Sequence, residues 1–140
     1  MAAVLLAATV VLALGFWWWK FKSADIFLAT NPITSEITSE FQKLKGRWQR
    51  PDGGYIMDIK SVASDGAMDA AYFNPKSIHI AKAEASRDGA DMKVFIELRD
   101  ANYPGSTYTL TYDPASDQLK GIYYQAVERQ RFPVAFVRMK

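Results

Sequence analysis

The stretch DMKVFIELRD, residues 91 to 100, carries the most regular pattern in the chain. Its apolar side chains stand at every second position: Met92, Val94, Ile96 and Leu98. Charged residues occupy most of the positions between them, at Lys93, Glu97 and Arg99. Alternation with a period of two is typical of a β-strand that buries one face and exposes the other. The stretch therefore predicts a strand that lines a hydrophobic core.

Similar patterns continue on both sides of this strand. They predict about eight strands, at 46–50, 55–59, 68–72, from 78 onward, 92–98, 108–112, around 123–124 and at 132–139. Short turns rich in Asp, Gly and Pro separate most of these segments, at 51–54, 64–66, 87–89, 103–105 and 113–117. Hairpin spacing without crossover helices predicts an all-β antiparallel meander that closes into a small barrel.

Two states of this barrel, filled or hollow, lead to different functions. Large side chains at inward positions, such as Met57, Tyr72, Met92 and Phe136, favour a filled core in a domain that spans only residues 46–140. A hollow barrel would instead offer tyrosines as the lining of a pocket: Tyr55, Tyr72, Tyr108 and Tyr123.

The N-terminal segment has the composition of a membrane span. Residues 2–19 contain no charged side chain, and at about 1.5 Å per residue they would form a helix of roughly 27 Å, close to the hydrocarbon thickness of a bilayer. The segment ends in Trp17, Trp18 and Trp19, followed by Lys20 and Lys22. Tryptophan prefers the membrane interface, and lysine extends its charge beyond it. We predict a retained transmembrane anchor over residues 1–22.

Two alternatives to a retained anchor are a cleaved signal peptide, with a cleavage site near residues 13–15, and a buried soluble helix. The segment lacks the basic start of a signal peptide and is longer than an ordinary signal-peptide core. Orientation is a separate question, because Lys20 and Lys22 would place the following domain in the cytoplasm by the positive-inside rule.

Residues 23–45 form a connector with one predicted amphipathic helix. Asn31 and Pro32 are a suitable N-cap and first helical residue, and Gly46 would end the helix. One apolar stripe runs along it: Ile33, Ile37, Phe41 and Leu44. The stripe predicts either a contact with a partner protein or a lid on the domain that follows.

The start of the domain carries a short motif, Gly46-Arg47-Trp48, followed by a Gly-rich turn and further hairpins. This arrangement resembles the calycin barrels, the lipocalin and avidin group. The resemblance implies that Trp48 closes one end of the barrel and that Arg138, on the last strand, stacks on it. The stretch GRWQRPDGGY, residues 46–55, is also similar to small exported bacterial proteins. That second resemblance implies a periplasmic domain at the bacterial inner membrane.

The composition argues against most catalytic chemistry. The chain has one histidine, His79, and no cysteine, so a thiol–imidazole pair and a multi-histidine metal site are excluded. We expect no metal and no cofactor. With 17 basic and 15 acidic residues the chain has a net charge of only +2, which does not favour nucleic acid as a partner.

These observations predict a non-catalytic, membrane-anchored accessory subunit. Its expected partners are the lipid bilayer and the other subunits of a larger inner-membrane complex, of the energy-converting kind found in photosynthesis or respiration. The alternative is a periplasmic, lipocalin-like carrier of a small apolar ligand. An enzyme built on the barrel is the least favoured of the three.

Overall fold

The computed structural model of the protein describes residues 32–140. The predicted membrane anchor, with Trp17, Trp18, Trp19, Lys20 and Lys22, lies outside the described residues. Within the described part of the chain, no helix is both long enough and apolar enough to span a bilayer.

The described residues form two short helical elements and nine strands. Helix α1 (Pro32–Phe41) runs into a 3-10 turn (Gln42–Leu44). The strands are β1 (Gly46–Gln49), β2 (Ile56–Val62), β3 (Met68–Asn74), β4 (Lys76–Ile78), β5 (Ile80–Asp88), β6 (Asp91–Asp100), β7 (Tyr103–Asp113), β8 (Gln118–Gln125) and β9 (Gln130–Arg138).

All nine strands belong to one antiparallel sheet. Its order is β4-β3-β2-β1-β9-β8-β7-β6-β5. The two ends of this order approach each other where Ala67 bridges Glu84, next to a hydrogen bond of 2.7 Å from the Ala85 amide to the Gly66 carbonyl. The sheet is therefore a nearly closed barrel, and the prediction of an all-β antiparallel barrel is confirmed.

The segment around His79 differs from the prediction. Ile78 and Ile80 were expected to begin one strand, but Ile78 ends β4 and Ile80 begins β5. Strand β4 pairs with β3, whereas β5 pairs with β6 at the opposite edge of the sheet. The chain changes partners at His79, and this break accounts for the ninth strand within residues 32–140.

The turn after β6 also lies earlier than predicted. Residues 103–105 were expected to form it, but Tyr103 already begins β7 and pairs with Asp100. Pro104 and Gly105 are accommodated inside the strand, because Gly105 is the extra residue of a bulge opposite Leu98 and Arg99 and takes a positive φ of 90°.

The interior of the barrel is filled by large side chains. Trp48, Met57, Tyr72, Tyr108 and Phe136 are all fully buried, together with Val94, Ile96 and Leu98 of β6. From outside the barrel, Phe41 and Leu44 join the same core. Because α1 and the 3-10 turn cover one end in this way, we name that end, with Leu44, Trp48 and Arg138, the closed end. The opposite end, with the turns at 50–55, 100–103 and 125–130, is the mouth.

Candidate functional site

The closed end is built around Trp48 and Arg138. The register pairs the two residues across β1 and β9, and the guanidinium carbon of Arg138 lies 4.0 Å from the centre of the Trp48 ring. The indole N–H of Trp48 donates a hydrogen bond of 2.9 Å to the Leu44 carbonyl. The ring is therefore held from two sides, by the 3-10 turn and by the last strand.

Arg138 connects three separate segments of the chain at this end. Its Nε donates to Asp117 at 2.7 Å, and its terminal nitrogens donate to the carbonyls of Lys45 at 2.5 Å and Lys43 at 2.6 Å. The hydrogen bond from Arg138 lowers the pKa of Asp117 below its ordinary value. Gly46 must lack a side chain here, because a Cβ would stand 2.8 Å from Arg138 Nη1 and the residue has a φ of 129°.

The partner-contact stripe predicted on α1 is divided in the structure. Phe41 and Leu44 are buried in the core, so these two side chains cover the barrel and are not accessible to a partner. Ile33 is 64% exposed, and the side chain of Ile37 lies outside what the structure describes. An ion pair between Glu40 and Arg87 fastens the end of α1 to β5. Part of the stripe is a lid, and its N-terminal residue faces solvent.

The mouth contains a second arginine, Arg50, which the sequence did not single out. Its Nε and Nη2 donate to the two carboxylate oxygens of Asp52, at 3.0 and 2.5 Å, and its Nη1 donates to the hydroxyl of Tyr108 at 3.1 Å. Its guanidinium carbon lies 4.4 Å from the centre of the Tyr55 ring. The signal that could have found it is spacing, because positions 46, 48 and 50 alternate inward on the first strand.

Tyrosine hydroxyls continue the contacts of Arg50 into the core. The hydroxyl oxygens of Tyr72 and Tyr108 lie 2.7 Å apart. Burial raises the pKa of Tyr108 to about 12, against the opposing effect of its hydrogen bonds, and burial likewise raises the pKa of Tyr72. Burial by itself would lower the pKa of Arg50, but its hydrogen bonds to Asp52 and Tyr108 outweigh that effect and raise it. All three groups therefore keep their protons at neutral pH.

A cavity of about 330 Å³ opens at the mouth, above these buried tyrosines. It is lined by seven residues: Arg50, Asp52, Tyr55, Tyr123, Gln125, Phe132 and Pro133. Of the four tyrosines predicted as pocket lining, Tyr55 and Tyr123 line this cavity. Tyr72 and Tyr108 are fully buried in the core below it. The structure brings the four together, but in two layers.

Rings stack in a column from the core to the rim of the mouth. Tyr108 and Tyr123 stack with centroids 4.6 Å apart, and Tyr123 and Phe132 stack at 6.4 Å. Phe132 ends the column and is partly exposed. The cavity is therefore lined by this aromatic column and by the Arg50–Asp52 pair, and the guanidinium carbon of Arg50 lies 5.9 Å from the centre of the Tyr123 ring.

His79, the one histidine of the chain, does not line the cavity at the mouth. His79 is exposed on the link between β4 and β5. Its backbone N–H donates to the Asp100 carboxylate at 3.0 Å. Within residues 32–140, no group of three or more His, Asp or Glu side chains is placed to hold a metal ion.

No protein-family model, no curated protein and no solved structure matches this chain. The resemblance to the calycin barrels therefore stays a prediction.

Proposed function

We propose that this chain is a non-catalytic accessory subunit that is anchored in the bacterial inner membrane and stabilises a larger membrane complex by docking on it. The observation that supports this proposal is the filled interior of the barrel. A filled barrel is a rigid body that presents its outer surface, whereas a carrier of an apolar ligand needs an internal cavity.

The packing of the interior makes carriage of an apolar ligand inside the barrel costly. Trp48, Tyr108 and Phe136 are fully buried, and Tyr108 contacts Phe136 edge-to-face with ring centres 5.3 Å apart. A ligand could enter only by displacing rings of this size. Loss of one such buried ring costs about 3–5 kcal/mol. This packing favours a docking module over the carrier.

Ile33 is the residue we assign to the docking surface. It stands at the start of α1, in the connector that follows the proposed anchor, and it is 64% exposed. An exposed isoleucine next to the bilayer is positioned to meet a neighbouring subunit. Two modest contacts on one chain, in the membrane and just beyond it, reinforce each other through effective concentration.

The test is native electrophoresis of membranes solubilised in mild detergent, with the wild-type chain and two variants expressed in the native bacterium. We expect the wild type to migrate with a large complex and Ile33→Asp to be released from it. Val127→Asp is the matched control, because Val127 is 62% exposed on the turn at the mouth, away from α1.

Deletion of the gene completes the test. We expect the complex to become less stable to detergent or heat when the chain is absent. Migration of the wild-type chain only as a monomer, with every membrane complex unchanged by the deletion, would refute the proposal. Release by Val127→Asp but not by Ile33→Asp would move the docking surface to the mouth.

A further inference from the structure

The cavity at the mouth has polar groups that the fold itself leaves unused. Arg50 carries five N–H donors, of which the bonds to Asp52 and Tyr108 use three. Its side chain is only 9% exposed, yet it lines the cavity. The Gln125 side chain also lines the cavity and makes no hydrogen bond within residues 32–140. The cavity therefore offers unused donors, and Gln125 adds an acceptor.

The charge of the cavity favours an uncharged ligand. Arg50 is paired with Asp52 through two hydrogen bonds, so the pair is neutral as a unit. A carboxylate that approached Arg50 would also approach Asp52, and like charges at close range repel. Asp52 is 59% exposed and its oxygens can accept further hydrogen bonds from a ligand.

The remaining walls are apolar and flat. Tyr55 covers one face of the guanidinium, and Tyr123 and Phe132 form the outer end of the aromatic column. Pro133 completes the lining. A ligand that fits must therefore present an apolar face to rings and, along its edge, groups that both donate and accept hydrogen bonds.

A sugar ring has this combination of surfaces. Its axial C–H groups form an apolar face that packs on aromatic rings, and each hydroxyl on its edge both donates and accepts. Neighbouring hydroxyls can accept a hydrogen bond from Arg50 and donate one to Asp52. The amide of Gln125 can both donate a hydrogen bond to a hydroxyl and accept one from it. A purely hydrocarbon ring would leave the Arg50 donors without partners, which is unfavourable in a partly enclosed site. The cavity volume of about 330 Å³ lies at the lower end of the range for small-molecule sites.

We propose that the mouth of the barrel binds an uncharged saccharide of one or two rings, packed against the aromatic lining of the cavity and hydrogen-bonded by Arg50, Asp52 and Gln125. This site lies at the end of the barrel opposite α1, so an occupied mouth leaves the proposed docking surface free.

The experiment is saturation-transfer NMR on the full-length chain in a detergent that has no sugar headgroup. The probes are maltose, cellobiose and diacetylchitobiose, with benzoate as an anionic aromatic comparison. Each probe is titrated to about 10 mM, so that a site with a dissociation constant of about 1 mM is largely occupied. We expect saturation transfer to at least one disaccharide, strongest at its ring C–H protons, and none to benzoate.

Three variants with unchanged thermal unfolding decide whether the signal comes from the mouth. Tyr55→Leu removes a ring and Gln125→Leu removes an amide, and each should weaken binding about tenfold. Tyr124→Leu is the matched control, because Tyr124 is adjacent to Tyr123 in β8 but does not line the cavity. It should leave the dissociation constant within about twofold of the wild type.

Each other outcome overturns the proposal. Absence of transfer to all three disaccharides, equal binding by wild type and both mouth variants, or preference for benzoate would contradict an uncharged saccharide at this site. The measurement uses the isolated chain, so its failure is distinguishable from failure of the docking proposal, which depends on the complex.

Discussion

Arg138 at the closed end and Arg50 at the mouth are arranged alike, since each lies against an aromatic ring and a turn aspartate, yet their remaining donors differ. Arg138 donates to Asp117 and to the carbonyls of Lys43 and Lys45, so it joins the covering segment (α1, the 3-10 turn and Lys45) to the barrel. Arg50 donates to Asp52 and Tyr108 and keeps two N–H groups beside a cavity.

The difference lies in what covers each arginine. At the closed end, Phe41 and Leu44 are buried against the barrel, and the carbonyls of Lys43 and Lys45 beside them accept hydrogen bonds from Arg138. No such segment lies over the mouth within residues 32–140, where a cavity stands instead. The same pair of residue types therefore stabilises one end and leaves polar groups for a ligand at the other.

The largest effect that we expect concerns Trp48. Trp48→Ala would leave a large cavity under the covering segment and remove the contact with Arg138, so the free energy of unfolding should fall by about 3–5 kcal/mol. Urea denaturation followed by circular dichroism measures this value. Val127→Ala, at an exposed turn, should change it by less than about 0.5 kcal/mol. A loss under about 1 kcal/mol for Trp48→Ala would mean that the closed end does not depend on this ring.

Replacement of the two arginines compares the ends directly. Arg138→Leu removes hydrogen bonds to two carbonyls and to Asp117, and should cost about 2–3 kcal/mol of unfolding free energy. Arg50→Leu loses the bond to Tyr108 and leaves Asp52 in contact with water, so it should cost only about 1 kcal/mol. Denaturation of both variants in parallel gives the difference. An equal or larger loss for Arg50→Leu would show that Arg50 contributes at least as much to the free energy of unfolding as Arg138 does.

A smaller effect is expected at the buried tyrosine pair. Tyr72→Phe removes one hydroxyl, but Tyr108 keeps its bond from Arg50, so the loss in unfolding free energy should be about 1 kcal/mol. Tyr108→Phe should cost more, because it leaves both Tyr72 and an Arg50 donor without a partner. Thermal unfolding of the two variants tests this order, and the reverse order would contradict the chain of contacts.

The smallest effect that we expect is on the loss of stability at low pH. Arg138 lowers the pKa of Asp117 in the folded protein, so the pair contributes stability above the ordinary aspartate pKa of about 3.9 and loses it as the pH falls through the folded pKa. The carboxyl is half exposed, so screening limits the contribution to less than about 1 kcal/mol. Unfolding between pH 6 and about 2 should show a shallower decline for Asp117→Asn than for the wild type. Identical slopes would assign no role to this pair.

Two strand boundaries mark the limit of sequence patterns in this fold. The alternation in β6 was sufficient to predict that strand, because burial of every second side chain is a local property of extended backbone. The break at His79 was not predictable in the same way, because Ile78 and Ile80 carry similar side chains and differ only in which strand lies beside them. The turn before Tyr103 was misplaced because Pro and Gly are favourable in turns and also fit a bulged strand.

The residues of the candidate site also fall into those that the sequence predicted and those that it did not. Tyr55 and Tyr123 were found because an aromatic residue at an inward position is recognisable in the sequence alone. Arg50 was missed, since a charged residue beside a Pro-Asp-Gly-Gly turn is ordinarily exposed.

By itself, the sequence determined the all-β class and the inward side of β6, because each depends on side chains and their near neighbours. Only the tertiary structure decided which groups meet. Arg50 reaches Tyr108 across 58 positions of sequence, and Arg138 reaches Lys43 across 95. Contacts of this kind follow from strand register and from where the covering segment rests, and neither is a property of any short stretch of chain.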